Sequence, residues 1–235
     1  MFKKYWKFFV IFWSVVLVGI IGVFVFFWLI SAGKLGFMPT FEELENPNNR
    51  FASEVYFADG PIMNRYFEKE NRKYIEYREI PQSVIDALIA TEDVRFYDHS
   101  GVDVRGLFRV AKGLLTANTS AGGGSTISQQ LAKMLFPRES DLNVFELAIR
   151  KFREWVIAVR LEKSYTKEEI LTMYLNKYDF LNLAVGISSA ADIYFQVPLD
   201  SLKVEQAAML IGMAKNSSYY NPVRRPELTL NRRNV

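Results

Sequence analysis

Hydrophobic residues follow two patterns along the chain, an unbroken run near the amino terminus and helical repeats after residue 80. Residues 8–30 carry no charge. As a helix this run would be about 34 Å long, enough to cross a bilayer. Trp6 and Trp28 flank it, where amphipathic rings favour the membrane interface. Because a cleaved signal peptide has an apolar core of only about 7–15 residues, the run predicts a transmembrane helix.

The repeats after residue 80 predict a mostly α-helical domain. Val84, Leu88 and Glu92 step by four residues, which places Glu92 on the core-directed face of a helix over 82–92. A carboxylate there is costly to ionise and suited to proton exchange near neutral pH. The alternative is that the helix ends at Glu92 and its side chain turns out to water. Further helices are predicted over 104–115, 126–135, 145–162, 167–176 and 201–213.

The predicted helix over 104–115 is apolar and basic, with no acidic residue after Asp103. Such a helix can lie on an anionic membrane surface. Burial of the helix with solvated arginines is an equally good interpretation. Residues 116–124 are small and polar and predict a mobile loop.

Between the membrane run and the helices, residues 31–79 predict a juxtamembrane linker and a small β stem. The linker contains Gly, Pro and Asn, and short β-like runs follow at 53–57, 62–67 and 73–77. A turn signal, Asp59-Gly60-Pro61, separates the first two runs.

The charged residues indicate how the chain is oriented in the membrane and do not indicate a binding partner. Lys3, Lys4 and Lys7 account for the whole net charge of +3, because the other 26 basic residues balance 26 acidic ones. These lysines predict that the tail, residues 1–7, stays in the cytoplasm and that the chain after 31 lies outside. No basic surface indicates a nucleic-acid partner, and the absence of cysteine excludes disulfide and thiolate chemistry.

Three clusters of polar residues stand at helix boundaries. The first contains Glu92, Asp93 and His99, the only histidine, for which a structural hydrogen bond is the alternative. The second is a Gly-rich loop that opens a helix, where Thr126 and Gln129 have capping-box spacing and free amides could hold phosphate. A capped surface helix is the alternative. The third is the string R-K-x-x-E at 150–154, which is otherwise an ordinary intrahelical salt bridge.

These clusters, taken in order, resemble the signature motifs of the peptidoglycan glycosyltransferases (glycosyltransferase family 51). These enzymes form the front part of bifunctional class A penicillin-binding proteins or stand alone as monofunctional relatives. The first three strings are E-D-x-x-F-x-x-H-x-G, G-x-S-T-I-x-Q-Q-L-x-K and R-K-x-x-E. Ser128 and Met134 replace the Thr and Asn that are usual in the family. The fourth motif commonly ends in Tyr-Phe-Gly, where this chain has Asp179-Phe180-Leu181, and Arg232-Arg233 resembles the opening of a fifth.

The resemblance implies a lysozyme-like fold with two lobes around a groove and one lobe partly in the membrane. It predicts a catalytic domain over 80–235 that is incomplete at its carboxyl end and belongs to a longer protein, with a bifunctional type weakly favoured. The expected location is the inner (cytoplasmic) membrane, with a single span and the catalytic domain in the periplasm.

The resemblance also implies that the protein polymerises lipid II into β-1,4 glycan with inversion and release of undecaprenyl pyrophosphate. Glu92 is then the base and Glu154 the second carboxylate. Substrate binding is predicted for Asp93, Phe96, His99, Ser125, Thr126, Gln129, Gln130, Lys133, Arg150 and Lys151.

A divalent cation, Mg²⁺ or Mn²⁺, is an optional cofactor, and no protein metal site is predicted. Expected partners are lipid II, the growing glycan chain, membrane lipids and other cell-wall synthesis proteins. Two other functions fit less well. A lysozyme-like lytic enzyme would not need the bases at Lys133, Arg150 and Lys151, and a non-catalytic membrane scaffold would not need so many polar groups at motif spacing.

Overall fold

The structure is a computed structural model that describes residues 2–40, 53–56, 62–66, 73–116, 123–135 and 143–235. Helices dominate these residues, which confirms the mostly α prediction. Their bounds are α1 Phe2–Ser31, α2 Gln82–Glu92, α3 Val104–Leu115, α4 Ile127–Leu135, α5 Val144–Ser164, α6 Lys167–Lys177, α7 Ile187–Phe195, α8 Val204–Ala214 and α9 Pro226–Arg233. Single 3₁₀ turns lie at Tyr77–Glu79, Phe96–Asp98 and Leu199–Ser201.

Helix α1 contains the predicted membrane span. Its segment from Tyr5 to Ser31 is long and apolar enough to cross a membrane by length and composition. Large apolar side chains along it, such as Phe8, Val18 and Phe24, are exposed in the protein, as lipid contact would require. The direction in which the helix crosses stays a prediction.

Two short strands lie within the predicted stem. β1 (Ser53–Tyr56) pairs antiparallel with β2 (Ile62–Tyr66), with an irregularity in register at Val55 and Tyr56. The residues around them are outside the described part of the chain, so the stem as a unit and the linker stay predictions. The mobile loop predicted over 116–124 also falls mostly outside the described residues.

The prediction of a third strand over 73–77 is wrong. Ile75 is buried, and its backbone N–H donates to the Asn176 side-chain oxygen at 3.0 Å, while its carbonyl accepts from the Asn176 amide at 2.8 Å. A side chain from α6 therefore satisfies the backbone groups that a strand neighbour would have paired.

The core is formed where the helices of the domain cross. α4 packs on α5 and α6, and α2 packs on α8, which also supports α9. Fully buried aliphatics fill these crossings, among them Leu88, Leu131, Leu171 and Leu210. Burial of such side chains contributes roughly 1.5–3 kcal/mol each. Helices α2, α4, α5 and α9 consequently bring four separate parts of the sequence to one region.

Helix α5 also joins the domain to the anchor. Phe152 lies with its ring centroid 5.3 Å and 5.7 Å from those of Phe26 and Phe27, both in edge-on geometry. Arg160 donates to the backbone oxygens of Ser31 (2.8 Å) and Pro39 (3.0 Å). The carbonyl at the end of α1 thus has a charged donor from α5.

Candidate active site

Glu92 is the last residue of α2, and it occupies the predicted face. Val84 and Leu88 on that face are fully buried, and the Glu92 side chain is only 11% exposed. The alternative that its carboxylate turns out to water is wrong, because α8 packs on α2 and Arg232 of α9 lies against the carboxylate.

The two carboxylate oxygens of Glu92 have different partners. The side-chain amide of Gln130 donates to Oε2 at 2.9 Å, and the Arg232 guanidinium lies 3.6 Å from Oε1. The hydroxyl of Tyr174 donates in turn to Gln130 at 3.1 Å. Sequence reasoning assigned no role to Arg232 or Tyr174, although the Arg232-Arg233 string of the fifth motif was a signal for the first.

Glu92 lies between two cavities. The smaller, about 330 Å³, and the larger, about 650 Å³, share Thr91, Glu92 and the residues 123–125. Asp93, Arg95, Asp103, Arg109 and Thr126 are among the other residues of the smaller one. The larger one adds Gln130, Lys133, Met134, Tyr178, Ala214, Lys215, Asn216 and Arg232. One carboxylate can therefore face two bound groups at once.

Lys151 of the third motif contacts the cavities through Ser125 of the second motif. Lys151 donates to Ser125 Oγ at 3.0 Å and to Glu154 Oε2 at 2.8 Å. Glu154 is buried, whereas the Lys151 side chain is 39% exposed. This pair is more than a surface salt bridge, since it ties Glu154 to a residue that lines both cavities. Lys151, rather than Arg150, is the base that pairs with Glu154 among the described contacts.

The second motif is used differently from its sequence-based interpretation. The Thr126 hydroxyl accepts from the Gln129 N–H, but the Gln129 side chain donates to the carbonyl of Gly101 rather than back to Thr126. Thr126 also donates to that carbonyl, at 2.7 Å. The predicted capping box is only half formed, and both side chains are buried, so the surface-helix alternative is wrong too.

Asp93 occupies the start of α4. Its carboxylate accepts the Ile127 N–H at 3.0 Å and lies 3.0 Å from His99 Nε2. Asp93 thus occupies the amide of Ile127, as the Thr126 hydroxyl occupies that of Gln129, so these two amides are not the free donors that the phosphate prediction assumed. Phe96 is fully buried under the Lys167 ammonium. These contacts favour a supporting role, and direct substrate contact by Asp93, Phe96 and His99 stays a prediction.

In the described part of the chain, no group of three or more acidic or histidine side chains is placed to hold a metal ion. Of the two carboxylates predicted to be catalytic, Glu154 pairs with Lys151 and Glu92 faces Arg232. The described residues therefore do not by themselves form a set of oxygen ligands for such an ion.

The same sequence was compared with known proteins. The transglycosylase family model matches residues 59–235. Penicillin-binding protein 1A of Escherichia coli is 37% identical over 198 residues, which cover 84% of this chain and 23% of that protein. The proteins of that name from Pseudomonas aeruginosa (38% over 197 residues, 84% and 23%) and Neisseria lactamica (37% over 190 residues, 81% and 23%) are similar. The chain spans about a quarter of the length of these relatives. With a match over most of its length, the chain belongs to the transglycosylase family.

Proposed function

We propose that this protein is a membrane-anchored peptidoglycan glycosyltransferase of bacterial cell-wall synthesis. It would polymerise lipid II into β-1,4 glycan strands and release undecaprenyl pyrophosphate. The observation that carries the proposal is the position of Glu92 between two cavities, with cationic side chains around both. The family match and the relatives' name, penicillin-binding protein, support it.

In the proposed reaction, Glu92 takes the proton from a sugar hydroxyl of the acceptor. The hydroxyl oxygen forms a bond to the anomeric carbon of the growing chain as the bond from that carbon to the pyrophosphate breaks. Attack from the face opposite the leaving group inverts the anomeric centre. Because the base and the two reacting groups are held together, the step gains from proximity as well as from proton transfer.

The departing pyrophosphate would be stabilised by cations. Lys151 is close enough to Ser125 to offer its ammonium to either cavity, and Lys133 lines the larger one. Arg150 precedes Lys151 on the same helix and would add charge. Glu154 would hold Lys151 in place and orient the donor. Such pre-placed charge is commonly a large part of transition-state stabilisation.

Mg²⁺ or Mn²⁺ stays a prediction of the family resemblance. Among the residues that the structure describes, no donor set for it is formed, and no step of this proposal is routed through a cation.

The proposed arrangement on the membrane places the amino terminus in the cytoplasm and the two-lobed, lysozyme-like domain on the outer face of the inner membrane. Helix α3 supports the contact of the domain with the membrane surface. Its apolar residues Val104 (57% exposed), Phe108 (73%) and Leu115 (89%) are open, beside Arg105 and Lys112. This contradicts the alternative of a buried helix with solvated arginines. Both lipid-linked substrates would then reach the site from the bilayer surface.

The test is to incubate the purified protein with labelled lipid II and, separately, with preformed glycan strands. Polymer from lipid II and no cleavage of strands is the expected result. Cleavage of strands alone would instead show a lytic enzyme. If circular dichroism shows that the protein is folded and it catalyses neither reaction, the result would support a non-catalytic scaffold.

A further inference from the structure

Tyr174 is a buried polar residue that the proposed reaction does not use. It lies on α6, is fully buried, and stacks on Tyr178 with ring centroids 5.7 Å apart. Its hydroxyl contacts Gln130 Oε1 at 3.1 Å, and Gln130 Nε2 contacts Glu92 Oε2 at 2.9 Å. A tyrosine in the core is thus two hydrogen bonds away from the carboxylate between the cavities.

We propose that Tyr174 is a positioning residue for Glu92 and acts through the side-chain amide of Gln130. The inference deepens the proposed function, since it rests on Glu92 as the base. It also assigns Gln130 a different role, because its amide is engaged by two protein groups and holds the base rather than the substrate.

The orientation of the Gln130 amide follows from which of its neighbours can donate a hydrogen bond and which can only accept one. An ionised Glu92 can only accept, so it requires the Gln130 NH₂ on its side and leaves the amide oxygen for Tyr174. Burial, and then the charge of Glu92, raise the pKa of Tyr174 well above its usual value. The tyrosine therefore keeps its proton and can donate to the amide oxygen. With that oxygen engaged, the amide is held in the orientation that supplies a donor to ionised Glu92.

Glu92 is also surrounded by other charged and titratable groups. Arg232 on α9 faces its second oxygen at 3.6 Å. Lys133 on α4, Tyr178 after α6 and Lys215 after α8 line the same cavity. The cations act on Glu92 by charge, which a Tyr174 substitution leaves unchanged. A change seen on removal of the Tyr174 hydroxyl alone therefore reports the hydrogen-bonded path.

The test uses Tyr174→Phe, Gln130→Met and the matched control Tyr194→Phe. Tyr194 on α7 also donates a hydrogen bond to a backbone oxygen, that of Phe180 at 2.6 Å, but has no bond to Glu92 or Gln130. The first reading is the titration midpoint of the Glu92 carboxyl, followed by NMR in the full chain labelled with ¹³C-glutamate. Glu92→Gln identifies the signal.

We expect the midpoint to rise by about one pH unit in Gln130→Met, because a donor to the ionised form is lost. It should rise in the same direction, by a smaller amount, in Tyr174→Phe, because the Gln130 amide is no longer held with its NH₂ group towards Glu92. It should stay at the wild-type value in Tyr194→Phe. Equal midpoints in Tyr174→Phe and Tyr194→Phe would overturn the inference. If Tyr174→Phe does not fold, Tyr174→Met takes its place, since its flexible apolar side chain also lacks the hydroxyl, and the same two outcomes apply.

The second reading is lipid II polymerisation as a function of concentration. Positioning predicts that kcat falls about tenfold in Tyr174→Phe and Gln130→Met while KM stays within about twofold, since only transition-state interactions are lost. A raised KM at unchanged kcat would show instead that Gln130 binds substrate, and would refute the assignment. A wild-type protein that makes no polymer would refute the proposed function, while the titration would still decide whether Tyr174 positions Glu92.

Discussion

At the scale of single residues, three acidic side chains at the site, Glu92, Asp93 and Glu154, are distinguished by their partners. Glu154 is paired with Lys151, and Asp93 accepts from a backbone amide and lies against His99. Glu92 has an amide donor on one oxygen and a guanidinium 3.6 Å from the other, and it alone of the three lines both cavities. Glu92 is therefore the acid whose surroundings best suit proton exchange with a bound group.

Substitution of Asp93 tests whether this residue supports the fold of the site rather than binding substrate. Asp93→Ala should lower the free energy of unfolding by about 2–3 kcal/mol, because the Ile127 N–H and the His99 ring lose a buried partner. Chemical denaturation followed by circular dichroism measures the change. Asp98→Ala is the control, as this nearby side chain is exposed. Equal loss in the two variants would contradict the role given to Asp93.

The face of Glu92 was predictable from its spacing to Val84 and Leu88, because that spacing is a local property of one helix. The Arg232 and Tyr174 contacts were not, because they depend on how α9 and α6 pack against α2 and α4. For the same reason the sequence could not show that Asp93 would occupy the first amide of α4.

At the scale of elements, the altered end of the fourth motif has a backbone that suits glycine. Leu181, Asn182 and Leu183 have φ values of 65°, 52° and 68°, in the left-handed region. The segment is held by the Tyr194 hydroxyl, which donates to Phe180 O and accepts from the Asn182 amide. Leu181 stands where, by the resemblance, the family usually has Gly, the residue that adopts such φ values without strain.

Leu181→Gly should consequently stabilise the protein. Relief of about 1–2 kcal/mol of left-handed strain exceeds the roughly 0.5–1 kcal/mol of extra chain entropy that glycine loses on folding. The expected gain is up to about 1 kcal/mol in the free energy of unfolding. Leu181→Ala is the matched variant, because it shortens the side chain but keeps the strain. A Gly variant no more stable than the Ala variant would show that the strain is absent.

Helices α2, α5 and α6 were predicted to within about two residues, because each has a clear apolar repeat. At the start of α6, Thr166 and Glu169 also form a capping box, a local signal for the first residue of a helix. The run at 73–77 shows where such patterns fail. Its residues favour a strand, but Asn176, rather than another strand, pairs with the backbone N–H and carbonyl of Ile75. A partner so distant in sequence leaves no local signal.

At the scale of the whole molecule, the contacts of α5 with α1 form a joint between the anchor and the domain in the described part of the chain. Helix α5 carries Glu154 on one part of its surface and contacts α1 through Phe152 and Arg160 on another. The sequence predicted the anchor and the helix separately. It could not predict their contact, since neither apolar pattern specifies its neighbour.

Arg160→Ala should loosen this joint. Loss of the hydrogen bonds to Ser31 and Pro39 would raise the rate of trypsin cleavage after the exposed Lys34 several-fold, because local opening controls cleavage. Gel analysis of membrane-bound protein measures the rate. Arg78→Ala, which removes only an exposed pair with Glu76, should leave it unchanged. An Arg160 variant cleaved at the wild-type rate would mean that the aromatic contacts alone hold the joint.

The most direct test of the whole account is the initial rate of lipid II polymerisation by wild type, Glu92→Gln and Glu205→Gln, with folding checked for each. Glu205 is an exposed acid of α8 and serves as the matched control. The account predicts polymer from wild type and Glu205→Gln, and a loss of several orders of magnitude in Glu92→Gln. A Glu92→Gln rate within about tenfold of wild type, a barrier change of only roughly 1.4 kcal/mol, would contradict it.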